Sequence, residues 1–164
     1  MLKGYWLLGT RDNLENVQKL REEVFVYEQG FPIESERDEL DERSLHVALY
    51  NGEELIATGR LTPLAQGEYK IGRLAVKKAE RGKGYGSMVI RMLMDRALDA
   101  GAAKLIISSQ LHAMDIYAHF GFEVAGEEYL EEGKPHRKMV ATRETARFPR
   151  KCGANCASCE ASCK

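Results

Sequence analysis

A mixed α/β sheet with helices packed on its faces is the fold class this sequence predicts, on three observations. Strand-like apolar runs alternate with stretches of helical periodicity along the chain. Two of those runs flank Asn51-Gly52, the pair best suited to a tight hairpin turn. A glycine-rich, basic turn stands between a strand candidate and a helix candidate, which sets the middle of the chain as strand, turn, helix.

The elements follow in order. Asp12 to Tyr27 reads as a helix, with Asp12 as its cap and Glu15 three residues on. Leu14, Val17, Leu20, Val24 and Phe25 recur on one face. Gly30 to Arg43 contains Pro32 and many acids and reads as a solvated connection. Leu45 to Tyr50 and Glu54 to Leu61 form a hairpin about a type I′ turn at Asn51-Gly52. Tyr69 to Val76 is a third strand. Met88, Val89, Met92, Leu93 and Ala97 define the face of a helix from Ser87 to Ala100, which Gly101 closes. Lys104 to Ser109, with Leu105, Ile106 and Ile107 together, reads as a buried strand. Ala113 to Phe120 is a short helix. Val124 to Tyr129 and His136 to Thr142 are two further strands, joined through Glu132-Gly133-Lys134-Pro135.

Bulk properties exclude several classes. At 164 residues the chain fits one domain with a real core. A formal net charge of -1 offers no basic field for nucleic acid or an anionic membrane. The apolar stretch from Met1 to Leu8 is too short for a signal peptide, and no run approaches a membrane span. A cytoplasmic protein with reduced thiols is expected. Nothing in the sequence decides between a monomer and a homodimer.

The most informative segment is Arg81-Gly82-Lys83-Gly84-Tyr85-Gly86. A helix N-terminus carries unsatisfied N–H groups and the positive end of the helix dipole, so it attracts phosphate. Glycines let a pyrophosphate approach the backbone closely. The spacing is not that of a P-loop, and the third glycine comes one residue early for a dinucleotide-binding turn. A glycine turn that binds nothing is the remaining alternative, which the turn alone does not exclude.

Arg81 to Gly86, following Arg73-Leu74-Ala75-Val76, resembles the Arg/Gln-x-x-Gly-x-Gly/Ala motif of the GNAT superfamily of acyl-CoA N-acyltransferases. Ala113-Met114-Asp115-Ile116-Tyr117-Ala118-His119-Phe120-Gly121-Phe122 resembles that family's Ala-x-x-Phe-Tyr-x-x-x-Gly-Phe element, with Ile116 where Phe is commoner. More narrowly, the chain is similar to the ElaA-type branch. The similarity is carried by Val24-Phe25-Val26-Tyr27-Glu28-Gln29, Ile71-Gly72-Arg73-Leu74-Ala75-Val76, Gln110-Leu111-His112-Ala113 and Gly126 to His136. The last piece has Glu132 and Lys134 where the branch has Asp and Ile. The resemblance runs from about Glu22 to Met139 and implies a domain over residues 1–146.

It implies a GNAT fold whose splayed central strands bind acyl-CoA, with acetyl-CoA as cosubstrate. Backbone amides at Leu74, Ala75 and Val76 would line the pantetheine arm. Those of Arg81, Gly82, Lys83, Gly84, Tyr85 and Gly86 would hold the pyrophosphate. Gln110 stands where many members have a cofactor-orienting Asn, with one methylene more. Tyr117 matches the tyrosine beside the CoA sulfur, where a phenol of pKa about 10 faces a thiol of about 8.5. The implied reaction is direct attack by a primary amine, of a small molecule or a protein, within a ternary complex. The central strand offers Arg73 and no acid. Glu28, His112 and His136 are the candidate bases, each with a plainer role as an ion-pair, backbone or turn residue. The acidic segment Glu34 to Glu42 would lie beside the acceptor site and favour a cationic amine. A non-catalytic acyl-CoA-binding or thiol- or metal-responsive interaction protein of the same fold is the alternative.

The segment 147–164 has no counterpart in the resemblance. Cys152, Cys156, Cys159 and Cys163 are all the cysteines of the chain. Four thiolates so close satisfy the ligand count of a zinc site or an iron–sulfur cluster. Spacings of four, three and four also place them on one helical face as small apolar residues. Gly153 and Asn155 weaken the helix. The chain lacks the barrel that radical-SAM chemistry needs.

Overall fold

The computed structural model describes residues 1–149, so the four cysteines lie outside the described residues. The chain begins with strand β1 (Leu2–Leu8), then α1 (Glu15–Arg21), which continues as a π-helix over Glu22–Glu28, and a short α2 (Ile33–Glu36). Strands β2 (Leu45–Asn51), β3 (Glu54–Pro63) and β4 (Glu68–Val76) form an antiparallel meander. Helix α3 (Tyr85–Asp99) leads to β5 (Lys104–Gln110), and α4 (Met114–His119) leads to β6 (Glu123–Val124), β7 (Tyr129–Glu131) and β8 (Lys134–Thr142). One eight-stranded sheet results, in the order β1-β2-β3-β4-β5-β8-β6, with β7 paired to β8. Only β4 and β5 are parallel neighbours, and α3 is their crossover. The predicted mixed α/β class is the observed one.

The core lies between α3 and the sheet. Val89, Ile90, Leu93 and Met94 pack on Val47, Leu49, Ile56, Leu61, Ile71, Leu105 and Ile107, all buried. Gly59 permits this close crossing, because a Cβ there would stand 2.7 Å from both Leu93 Cδ1 and Val89 Cγ1. Helix α3 ends as the sequence predicts. Gly101 has φ +86, its N–H donates to Leu98 O at 3.0 Å, and the Ala102 N–H donates to Ala97 O at 2.9 Å, a Schellman motif. Helix α1 covers the opposite face, where Leu20 and Val24 meet Ala75 of β4. Among the described residues no helix is long and apolar enough to cross a membrane.

Five local expectations need correction. Asp12 does not cap α1; it accepts the Leu8 N–H at 2.6 Å, and Asn13 accepts the Glu15 N–H at 2.8 Å. The later half of the predicted helix is a π-helix, with the Gln29 N–H donating to Val24 O at 3.1 Å. Glu36 and Asp41, in the segment predicted as a solvated connection, are buried. The first hairpin turns on Gly52-Glu53, and only Gly52 has positive φ, so the turn is not type I′. That description fits Glu132-Gly133 instead, at φ 49 and 75 between β7 and β8. The run Val124 to Tyr129 is two short strands, because Gly126 at φ +111 interrupts it. Strand β1, absent from the sequence reading, is an edge strand with exposed residues and no inward–outward alternation.

Candidate active site

The sheet opens where β4 and β5 part. Their parallel pairing runs from Glu68↔Lys104 to Ile71↔Ile107 and stops, although β4 continues to Val76 and β5 to Gln110. A bulge in β4 coincides with the parting. Thr58 pairs with Ala75 and Arg60 with Gly72, so Arg73 and Leu74 together oppose Gly59. Arg73 takes φ +50, a left-handed conformation that costs a non-glycine residue about 1–3 kcal/mol. Its guanidinium holds the turn in place by donating to Ser35 O at 2.9 Å, Glu36 O at 3.1 Å and Asp38 Oδ2 at 3.1 Å. A cleft of about 240 Å³ fills the gap, with Arg73, Leu74 and Val76 on one wall and Ser108, Gln110 and Tyr117 on the other.

At one end of the cleft lies the glycine turn. Gly82 and Gly84 have φ +77 and +84, and a Cβ at either would meet nothing within 4 Å. Gly84 is the N-cap of α3, with no side-chain cap and no acid in the first turn. Among the described residues no acceptor takes the N–H groups of Tyr85, Gly86 and Ser87, because the first helical bond is Met88 N–H to Gly84 O at 3.1 Å. Open space, free donors and the dipole of a fifteen-residue helix together fit a pyrophosphate. Gly86 lines the cleft beside Val76.

Tyr117, on α4, is 8% exposed and reaches the cleft wall. Burial pushes its phenol up to about 12, so it stays protonated at any working pH. Its ring lies edge-on to Phe122 at 6.1 Å, and among the described residues no side chain hydrogen-bonds its hydroxyl.

His136 of β8 also lines the cleft and is 5% exposed. Its Nδ1 is 2.8 Å from Lys134 O. A carbonyl only accepts, so Nδ1 carries a proton, and in the neutral ring the lone pair falls on Nε2. His112 also lines the cleft but is exposed on a short turn, and among the described residues nothing hydrogen-bonds its ring. Glu28 does not line the cleft. Both its oxygens take Arg81, which holds its carboxyl below the usual range and makes it a poor base. Gln110 donates to Gln29 Oε1 at 3.0 Å, an amide bridge between β5 and the end of the π-helix.

Two arginines that join Arg73 beside the cleft, Arg21 and Arg60, escaped the sequence reading. Arg21 donates to Glu36 Oε1 at 2.5 Å and to Asp41 Oδ1 at 2.9 Å. Arg60 donates to Asp38 Oδ1 at 2.5 Å and to Asp41 Oδ1 at 2.8 Å, and Arg73 completes the set. The inward-facing acids of the 34–42 segment, Glu36, Asp38 and Asp41, are thus already paired with arginine. One signal was available: Arg21 falls on the apolar stripe of Val17, Leu20 and Val24.

Comparison with known proteins identifies the family. Residues 13–122 match the Acetyltransferase (GNAT) family. The chain belongs to the GNAT family. Being a GNAT acyltransferase, it is 37% identical over 130 residues to the uncharacterised N-acetyltransferase YjcF of Bacillus subtilis, covering 79% of this chain and 92% of that one. The structure of Escherichia coli ElaA superposes with a TM-score of 0.78 at 26% identity, over 85% of this chain and 99% of that one. An acyl-CoA N-acyltransferase from Pseudomonas aeruginosa gives 0.77 at 28% identity, over 85% and 99%.

The GNAT match ends at Phe122, so it contains the glycine turn and Tyr117 but not His136. Cys152, Cys156, Cys159 and Cys163 fall outside the described residues, among which no cluster of His, Cys, Asp or Glu could hold a metal ion.

Proposed function

We propose that this GNAT enzyme transfers an acetyl group from acetyl-CoA to a primary amine by direct attack. One observation carries the reading: the cleft between the parting strands has a buried protonated phenol, Tyr117, on one wall and an imidazole with a free Nε2, His136, on another. Acetyl-CoA supplies the activated acyl carbon and a thiol leaving group. The orphan N–H groups of the first turn of α3 would hold its pyrophosphate. The backbone of Arg73 and Leu74, displaced from the ladder by the bulge, faces the gap where its pantetheine arm would run.

The residues then have separate work. An amine attacks only when neutral, so His136 Nε2 takes the proton that the nitrogen sheds. Tyr117 holds its hydroxyl proton toward the departing sulfur. The new bond is carbon to nitrogen and the broken bond carbon to sulfur; the proton lost at nitrogen goes to His136, and the sulfur leaves as a thiolate that Tyr117 hydrogen-bonds. The phenol is less acidic than a thiol of pKa about 8.5, so Tyr117 stabilises the sulfur chiefly as a hydrogen-bond donor.

Gly86→Asp tests the cofactor site without backbone strain. Gly86 does not have positive φ, and its Cβ would meet only Val76 Cγ2 at 3.6 Å. A carboxylate there sets like charge against the pyrophosphate, which costs several kcal/mol. Acetyl-CoA affinity should fall by on the order of 100-fold or more in calorimetry, with an unaltered melting temperature. Affinity equal to the parent's would remove the pyrophosphate from this turn. Free-thiol release from acetyl-CoA across a panel of amines tests the reaction itself.

A further inference from the structure

The acceptor side of the cleft holds a carboxylate that the protein itself leaves unneutralised. Glu131 of β7 lines the cleft, and Ser108 Oγ donates to its Oε2 at 2.6 Å. A carboxylate only accepts, so that bond uses the one proton of Ser108. The Tyr129 hydroxyl, also bonded to Ser108 Oγ, must therefore donate to it. The chain runs from Tyr129 to Ser108 to Glu131 and fixes the carboxylate in one orientation. Tyr129 in turn stacks on His136, with ring centres 6.1 Å apart and planes at 30°. The fixed acid and the free Nε2 thus belong to one assembly, carried by β5, β7 and β8.

Charge accounting separates Glu131 from the other acids nearby. Glu36 and Asp41 are paired with Arg21, Asp38 with Arg60 and Arg73, and Glu28 with Arg81. Among the described residues no basic side chain makes an ion pair with Glu131 or with Glu132, which also lines the cleft. Lys70 lines the cleft too and has no acidic partner among the described residues. Neither acid has a cation held against it among the described residues: Lys134, the cross-strand neighbour of Glu131, turns its ammonium to the Phe31 ring instead. Lys70 rides on a flexible four-carbon stem, whereas Glu131 is held by a hydrogen bond. The aromatic wall favours cations as well, since Phe31, edge-on to His136 at 6.5 Å, already has Lys134 Nζ 5.2 Å from its ring centre.

We propose that Glu131 binds a second protonated nitrogen of the acceptor, so that the substrate class is an aliphatic diamine or polyamine. This rests on the N-acetyltransferase reading above. One nitrogen pairs with Glu131 as an ammonium, and the other, deprotonated by His136, attacks. Ser108 and Tyr129 are positioning residues that act through Glu131.

Three acceptors of equal chain length test this: n-butylamine, diaminobutane and aminobutyrate, each with acetyl-CoA and the full chain. Diaminobutane should exceed n-butylamine in kcat/KM by about tenfold or more, the difference lying in KM. Glu131→Gln keeps an acceptor for Ser108 and removes the charge, so it should erase that preference through KM while kcat with diaminobutane holds. Glu131→Asp should restore part of it. Equal use of the two amines by the parent enzyme, or a preference for aminobutyrate directed by Lys70, would overturn the proposal. So would an equal loss with all three acceptors in Glu131→Gln. If no amine releases thiol while acetyl-CoA still binds, the N-acetyltransferase reading itself fails, and n-butylamine reveals this by staying unreacted.

Discussion

Replacing Tyr117 by Phe should lower kcat by a factor on the order of 10²–10⁴ and leave acetyl-CoA affinity little altered. The substitution removes one oxygen from a buried ring whose packing against Phe122 it keeps. No other side chain among the described residues depends on that hydroxyl for a hydrogen bond, so its loss orphans nothing. What disappears is the donor facing the leaving sulfur. Because burial has raised the phenol to about 12, ionisation of Tyr117 should not appear in the pH–rate profile of the parent across the neutral range. The fall in rate should therefore be the same at every pH from about 6 to 9. Single-turnover measurements at saturating amine separate chemistry from product release. A variant as fast as its parent under those conditions would make Tyr117 a packing residue only.

The parts of this site that were legible in the sequence are those fixed by local chemistry. The glycine turn, the helix behind it and the Gly101 terminus depend on neighbours in sequence, and each stands where the residues indicate. Tyr117 was placed by its motif, and the structure sets it in the cleft wall. The rest depends on long-range pairing. The bulge at Arg73 exists because Gly59 on another strand is one residue short of matching it. The π-helix inserts its extra residue without a mark in the apolar spacing, yet it carries Phe25 and Gln29 to the cleft. Glu131 carries no mark in the sequence that sets it apart from its acidic neighbours. Its meaning comes from Ser108, on a strand that does not border β7 in the sheet.

Arg21→Met should destabilise the fold by about 3–5 kcal/mol, the usual cost of removing one partner from a buried ion pair. Arg21 is 0% exposed, and its guanidinium ties α1 to α2 and to the turn that carries Asp41. The losses are unequal. Asp41 keeps Arg60 at 2.8 Å, whereas Glu36 keeps only Arg73 at 3.9 Å. Glu36→Gln in the Arg21→Met background should therefore recover part of the loss, although alone it breaks a buried pair. For a domain of this size the single variant should melt roughly 10 °C or more below the parent. Acid sensitivity follows from the same cluster. Burial pushes the His46 imidazole below its ordinary value, so the unfolded chain binds the proton first, and stability declines as pH falls below about 6.5. Burial also works to raise Asp41, but its hydrogen bond and charge from Arg21, then from Arg60, outweigh it and leave the carboxyl lowered. That contribution is intact above about pH 3.9 and is lost below it, as pH falls toward the folded value. In Arg21→Met the second step should shrink and the first should remain, which urea midpoints measured from pH 7 to pH 3 would resolve. A melting temperature within about two degrees of the parent would mean that the three arginines and three acids only fill space beside the cleft.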